Sequence, residues 1–190
     1  MQDLRNKLNK IIQILEDSKK LMNDSYRMLM AESSEKFILI SRNKFLTRVR
    51  NSFWKLAVIE LTKLYGSRND YFRLDMLIDQ MIFNYKNAEW STKISKADLE
   101  ILQTTLSNNE ILLRKEKLKE IRNQHYAHKD QNPDHNIHDI EFYYIDFAYL
   151  IRAAELIIDE LMLKIFELST SFNTYDGEDA DNFLNTLLKK

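Results

Sequence analysis

The side chains best suited to chemistry in this chain lie between residues 121 and 130. This stretch follows a charged segment that favours a helix, and it contains Arg122, His125 and His128. All four histidines of the chain fall within residues 125–138. Histidine is the side chain whose ordinary pKa lies near neutrality, so a cluster of this kind suggests proton transfer.

An arginine and a histidine together can cleave RNA without a metal. The ribose 2′-OH of RNA is the nucleophile, a neutral histidine can take its proton, and a histidinium can protonate the leaving 5′-oxygen. The planar guanidinium of an arginine matches the geometry of a phosphate and can stabilise charge on the phosphorane oxygens. The products would be a 2′,3′-cyclic phosphate and a 5′-hydroxyl.

Helical geometry limits which histidine can act with Arg122. On one regular helix of 100° per residue, Arg122 lies about 60° from His125 and about 120° from His128. Arg122 and His128 can therefore converge only if the helix ends or tightens near Tyr126, or if two copies of the chain face each other. His125 shares a face with Leu118, which favours a packed or cleft-lining position, but it remains the alternative acid or base.

Two other interpretations of these residues are open. Cationic side chains near a helix C-terminus are favoured by the helix dipole, so Arg122 and His128 could simply be solvated or capping groups. The pairs His125-x-x-His128 and His135-x-x-His138 could bind a metal together with neighbouring aspartates, but no His-Glu-x-x-His motif is present. We therefore assign no metal site and expect no cofactor.

Composition points to an all-α protein. The 190 residues include only two glycines, one proline and no cysteine, so turn-rich sheets, disulfides and thiolate metal sites are disfavoured or excluded. No apolar run is long enough to span a bilayer, and the first residues are polar, which predicts a cytoplasmic protein. The formal net charge is -1, whereas a dedicated nucleic-acid binder is usually basic.

Apolar periodicity predicts an up-down helical bundle of roughly five to seven helices. Residues 1–172 are predicted to form one domain, and residues 173–190 an acidic tail with a short peripheral helix. The expected helices cover residues 2–30, 34–65 with a break near Asn43, 70–85, 96–107, 109–128 and 139–172. The residues between 86 and 95 and between 129 and 138 are predicted to be loops.

The longest apolar pattern lies in the predicted helix 139–172. Seven residues repeat there at alternating spacings of four and three, a period typical of a seam that packs against another helix: Phe147, Ile151, Ala154, Ile158, Leu161, Ile165 and Leu168. Further apolar residues, including Tyr149, flank the seam. The helix is therefore predicted to lie in the core of the bundle, at a dimer interface, or both.

Two basic stretches are candidates for contact with RNA. Residues 36–59 contain no acidic residue, and Lys44, Arg48 and Lys55 fall on one helical stripe. Residues 114–122 add further cations, among them Lys119. Such surfaces could attract a phosphate backbone, although a solvated helix face would have the same composition.

The segment Arg122-Asn123-Gln124-His125-Tyr126-Ala127-His128 resembles the signature of HEPN domains, in which an arginine and a polar residue precede a histidine near a helix end. The local form is similar to the abortive-infection AbiU-type branch. Residues 52–65, Ser-Phe-Trp-Lys-Leu-Ala-Val-Ile-Glu-Leu-Thr-Lys-Leu-Tyr, also resemble a helix of that branch. The order of elements over residues 1–172 is compatible with it.

This resemblance implies a HEPN-like homodimer whose arginines and histidines line one cleft, and a metal-independent endoribonuclease. Many such proteins are toxins of toxin–antitoxin or phage-defence systems, so an antitoxin protein is an implied partner. By the resemblance Arg122 binds the phosphate, His128 is the acid and base, and Asn123 orients the site. His125 and Tyr126 are supporting residues, and Tyr126 could stack on a base. The alternative is a non-catalytic interaction module with the same fold.

Overall fold

The structure is a computed structural model that describes residues 1–31, 33–66, 70–123, 142–172 and 177–189. These residues form a bundle of eight α-helices and contain no strand. The helices are α1 (Gln2–Leu29), α2 (Ser34–Arg42), α3 (Lys44–Tyr65), α4 (Leu74–Asn84), α5 (Lys96–Leu106), α6 (Asn109–Ile121), α7 (Tyr144–Phe166) and α8 (Glu178–Leu188). The prediction of an all-α bundle is confirmed, with one helix more than the upper number expected.

The predicted break near Asn43 is present, and it separates α2 from α3. The Asn43 side-chain oxygen accepts hydrogen bonds from the backbone N–H groups of Phe45 and Leu46, at 3.0 and 3.3 Å, so Asn43 ends α2 and caps α3. Ser33 caps α2 and Ser95 caps α5 in the same way, the latter within a capping box with Asp98. These caps are the helix starts that the sequence predicted.

Several predicted boundaries are wrong. The third helix begins at Leu74 rather than at residue 70, and two short 3₁₀ turns, Tyr85–Asn87 and Glu89–Thr92, occupy the predicted loop. α6 is α-helical to Ile121 and continues as a π-helical turn through Asn123, and its predicted end at residue 128 lies outside the described residues. α7 ends at Phe166 rather than at residue 172, and it begins at Tyr144 because the Asp146 carboxylate accepts a hydrogen bond from the Tyr143 N–H at 3.0 Å.

Two apolar clusters hold the bundle together. The larger one joins α1 and α3–α7, and α1 and α3 are its most extensively packed pair. The smaller one joins α8 to the first three helices and consists of Met28, Ile40, Leu46, Ala180 and Leu184. Lys36 donates to Asp181 at 3.1 Å across this second cluster.

The predicted seam of α7 lies in the larger cluster. Phe147, Ala154, Ile158 and Leu161 are fully buried, and Ile151 and Ile165 are nearly so. Leu168 lies beyond the helix end and is exposed. The seam is therefore core, and it is not available as a dimer interface. Among the described residues, no helix is both long and apolar enough to cross a membrane.

Candidate functional site at the end of α6

Arg122 is the first residue after α6. The helix starts at Asn108, whose side chain accepts from the Glu110 N–H at 2.8 Å. Its buried face ends with Leu118 and Ile121, which fix the last turn against the core. Arg122 is half-buried, so the chain leaves the helix with this side chain at the boundary between the core and solvent.

Two ion pairs show at which end of the bundle Arg122 lies. Asp98 in α5 lies 2.9 Å from Lys164 near the end of α7, and Arg114 in α6 lies 3.1 Å from Asp146 near its start. Asp98 and Arg114 are 16 residues apart across α5, the turn at residues 107–108 and α6, a span of roughly 24 Å at the helical rise, and the 18 residues from Asp146 to Lys164 cover roughly 27 Å along α7. α5 and α6 therefore both run towards the start of α7, and Arg122 follows Arg114 by two further turns.

The guanidinium of Arg122 is held by its neighbour. Its Nη1 donates to the Asn123 side-chain oxygen at 2.9 Å. Among the described residues no carboxylate pairs with Arg122, since this is its one polar contact there. A guanidinium positioned by a neutral amide keeps N–H donors for an anion, and phosphate is the anion whose geometry it fits best.

Three of the other four cations of α6 are paired with carboxylates. Arg114 pairs with Glu110 and Asp146, and its guanidinium also lies 4.3 Å from the ring centre of Tyr149. Lys115 pairs with Asp75 at 2.7 Å, and Lys119 with Glu116 at 2.7 Å. Arg122 thus differs from the paired cations that precede it in the same helix.

The predicted acid and base lie outside the described residues, as do the remaining histidines. The roles of His128, His125 and Tyr126 therefore stay predictions from the sequence. The angle of about 120° between Arg122 and His128 assumed one continuous α-helix through both residues. The chain is helical through Asn123, and residues 124–128 lie outside the described residues, so this angle stays a prediction.

An aromatic cluster lies where the described chain resumes after the motif. Trp54 of α3 packs on Phe142, Tyr144 and Phe147, with ring centres 6.2, 4.4 and 5.5 Å away, and Tyr26 of α1 packs on Tyr144 at 5.0 Å. Burial raises the pKa of Tyr144. The sequence signal for this cluster is the dense aromatic content around residues 53–54 and 142–144. This cluster holds the start of α7 against α3.

The predicted RNA-contacting residues are divided between surfaces. Lys44 and Arg48 are exposed, whereas Lys55 is half-buried and Lys119 is engaged with Glu116. Lys36, which contributed to the basic stretch in the sequence, is buried and paired with Asp181. The accessible positive charge of this stretch is therefore concentrated near the start of α3.

Within the described ranges there is no group of three or more side chains that could hold a metal ion. Comparison with known proteins gives no family assignment. No family model, no curated protein and no solved structure matches the chain.

Proposed function

We propose that this chain is a metal-independent endoribonuclease of the HEPN type. The observation that carries the proposal is the state of Arg122, which is oriented by Asn123 and has no carboxylate partner among the described residues. In this proposal Arg122 holds the scissile phosphate. His128 transfers the protons, with His125 as the alternative acid and base.

The chemistry proceeds by attack of the ribose 2′-oxygen on the adjacent phosphorus. The neutral histidine accepts the 2′-OH proton, Arg122 stabilises the negative charge on the non-bridging oxygens, and the bond to the 5′-oxygen breaks. The leaving oxygen receives a proton from a histidinium, so the products are a 2′,3′-cyclic phosphate and a 5′-hydroxyl. The reaction requires no external redox partner or nucleotide.

The proposal places the site at an interface between two copies of the chain. The side of α7 opposite its buried seam carries Ile145, Tyr149, Leu156 and Leu163, which are 75, 41, 53 and 50% exposed. These residues recur at helical spacing along one stripe. We define this stripe as the outer face of α7, and it supplies an apolar surface that a second copy could cover.

The enzymatic proposal is tested by incubating purified protein with total RNA in EDTA. We expect cleavage by the unsubstituted protein and cyclic-phosphate termini on the products. Arg122→Ala is expected to lower the rate by about 10²–10³, the usual cost of removing one stabilising donor. His128→Ala is expected to lower it by about 10²–10⁴.

Arg5→Ala is the matched control, because Arg5 lies on α1 beside the Phe166 ring and far along the sequence from the motif. Its activity should equal that of the unsubstituted protein. Equal RNA patterns for the unsubstituted protein, Arg122→Ala and His128→Ala would refute the nuclease.

A toxin or phage-defence effector with a protein antitoxin is the biological role that accompanies this activity. Expression should then slow host growth, and the double variant Arg122→Ala/His128→Ala should not. The alternative function is a non-catalytic interaction module, and the exposed outer face of α7 favours it as much as it favours a dimeric enzyme. A module of this kind would associate but leave RNA and growth unchanged.

A further inference from the structure

The bend between α2 and α3 forms a concave surface that is open to solvent. Asn43 is the C-cap of α2 and the N-cap of α3. Thr47 Oγ1 donates across the bend to the Ile40 carbonyl at 3.0 Å. The concavity has a volume of about 480 Å³. It is lined by Ile38, Leu39, Arg42, Asn43, Lys44 and Phe45, and we call it the α2–α3 groove.

The charge of the groove is unbalanced. Arg42 and Lys44 line it, and Arg48 follows Lys44 by one turn of α3. All three are exposed, and among the described residues none of them pairs with a carboxylate. Residues 36–59 contain no aspartate or glutamate to neutralise them. An anionic polymer is the ligand that fits this charge.

An exposed aromatic ring lies at the same place. Phe45 is 59% exposed and lines the groove together with Ile38, which is 44% exposed. Phenyl rings beside cations form a platform on which the unpaired bases of a single strand stack, with the phosphates on the cations. A volume of this size lies in the range of pockets that hold small ligands, so it can accept one nucleotide.

We propose that the α2–α3 groove binds single-stranded RNA, with a base stacked on Phe45 and phosphates on Arg42, Lys44 and Arg48. The choice of RNA as the polymer rests on the proposed function. The groove is concave, whereas an apolar wedge that enters a membrane must protrude, and this favours a nucleic acid over a lipid surface.

The groove and Arg122 lie at the same end of the bundle. The Ser25 hydroxyl bonds both the Arg50 carbonyl, at 3.1 Å, and the Tyr144 hydroxyl, at 2.7 Å. These contacts place the beginning of α3 beside the beginning of α7, the end towards which α6 runs. A strand held in the groove can therefore continue towards Arg122.

The binding test uses a fluorescein-labelled 2′-O-methyl oligonucleotide of about 12 nucleotides, a length within the site sizes of single-strand binders. This probe lacks the 2′-OH and cannot be cleaved by the proposed reaction, so binding is measured independently of activity. Fluorescence anisotropy is recorded for the single strand and for the same strand in a duplex. The single strand is expected to bind at least tenfold more tightly.

Substitutions separate stacking from charge. Phe45→Ala is expected to weaken binding about tenfold, in line with the loss of one stacked base. The triple variant Arg42→Gln/Lys44→Gln/Arg48→Gln should weaken binding further and reduce the slope of log affinity against log salt by about 2. Phe83→Ala is the matched aromatic control, because Phe83 is 88% exposed on α4. Lys10→Gln/Lys86→Gln controls for the general loss of exposed charge.

Unchanged binding by Phe45→Ala, or equal affinity for duplex and single strand, would overturn the inference. Binding to phosphatidylserine vesicles but not to the oligonucleotide would overturn it in favour of a membrane. Binding with no cleavage of ordinary RNA refutes only the proposed nuclease. Cleavage that is unaffected by the triple variant refutes only the groove.

Discussion

The charge of Asp75 links α4 to α6. Its carboxylate accepts hydrogen bonds from Nε and Nη2 of Arg73, at 2.8 and 2.6 Å, and from the Lys115 ammonium at 2.7 Å. Burial by itself would raise the pKa of Asp75, but these two cations outweigh it and lower the pKa to about 2. The carboxylate therefore ties the start of α4 to the middle of α6.

The low pKa of Asp75 predicts how stability depends on pH. A carboxyl with a lowered folded-state pKa stabilises the fold above its unfolded pKa, near 4, and this contribution is lost as the pH falls towards 2. We expect a loss of about 1–2 kcal/mol over that interval, reduced from the full shift because the side chain is partly solvated. Urea unfolding at several pH values measures it.

Asp75→Asn should remove this acid-dependent step and should destabilise the protein at pH 7 by about 2 kcal/mol, because it leaves the buried Lys115 ammonium with a weaker acceptor. Asp3→Asn is the matched control, since Asp3 also lies in the first turn of a helix but is exposed. If the unsubstituted protein and Asp75→Asn lose the same free energy of unfolding between pH 4 and 2, the lowered pKa of Asp75 is not the cause of the acid-dependent step.

One backbone conformation, at Glu167, sets the end of α7. Glu167 has φ 56° and ψ 33°, and its N–H donates to the Leu163 carbonyl at 3.0 Å, while the Leu168 N–H donates to the Met162 carbonyl at 3.3 Å. This is a left-handed helix cap, which usually contains glycine because a Cβ is strained there.

Glu167→Gly is therefore expected to raise the Tm by about 2–4 °C, as measured by circular dichroism. Glu167→Ala is the control, because it also loses the exposed pair with Lys93 but keeps the strained Cβ. It should give no increase. A Tm for Glu167→Gly no higher than that of Glu167→Ala would show that the cap is not strained.

The same cap explains why sequence predicted α7 too long. Apolar spacing continues to Leu168 and no glycine or proline interrupts it, so nothing local marks the end. By contrast Ser33, Asn43 and Ser95 are polar residues before apolar periods, and each does begin a helix. Side-chain caps can be predicted from a sequence, whereas a positive φ at a glutamate depends on tertiary packing.

At the candidate site, residue type and motif spacing predict Arg122 as a phosphate-binding residue, and its amide partner Asn123 follows it directly in sequence. The carboxylate pairing of Arg114 and Lys115 was not predictable, because Asp146 and Asp75 come from distant segments. It is this pairing that distinguishes Arg122 from Arg114 and Lys115 among the described residues.

The exposed apolar residues on the outer face of α7 predict that the protein associates with a second copy of itself. Both sides of α7 are apolar, so sequence alone could not say which side faces outward. Leu156 lies near the middle of the outer face, and Leu156→Glu places a charge in any interface built on it. We expect light scattering at micromolar concentration to show a dimer for the unsubstituted protein and a monomer for Leu156→Glu. Phe83→Glu, at an exposed position of α4, should remain dimeric.

A dimer whose cleft combines Arg122 of one copy with His128 of the other makes a sharper prediction. Arg122→Ala and His128→Ala would each be inactive, but a heterodimer of the two would keep one intact site of its two. Random mixing after subunit exchange should then restore about a quarter of the activity, since half of the dimers are mixed and each has half of its sites. No restoration despite demonstrated exchange would mean that both groups act from the same copy. A monomer at micromolar concentration would exclude the shared cleft altogether.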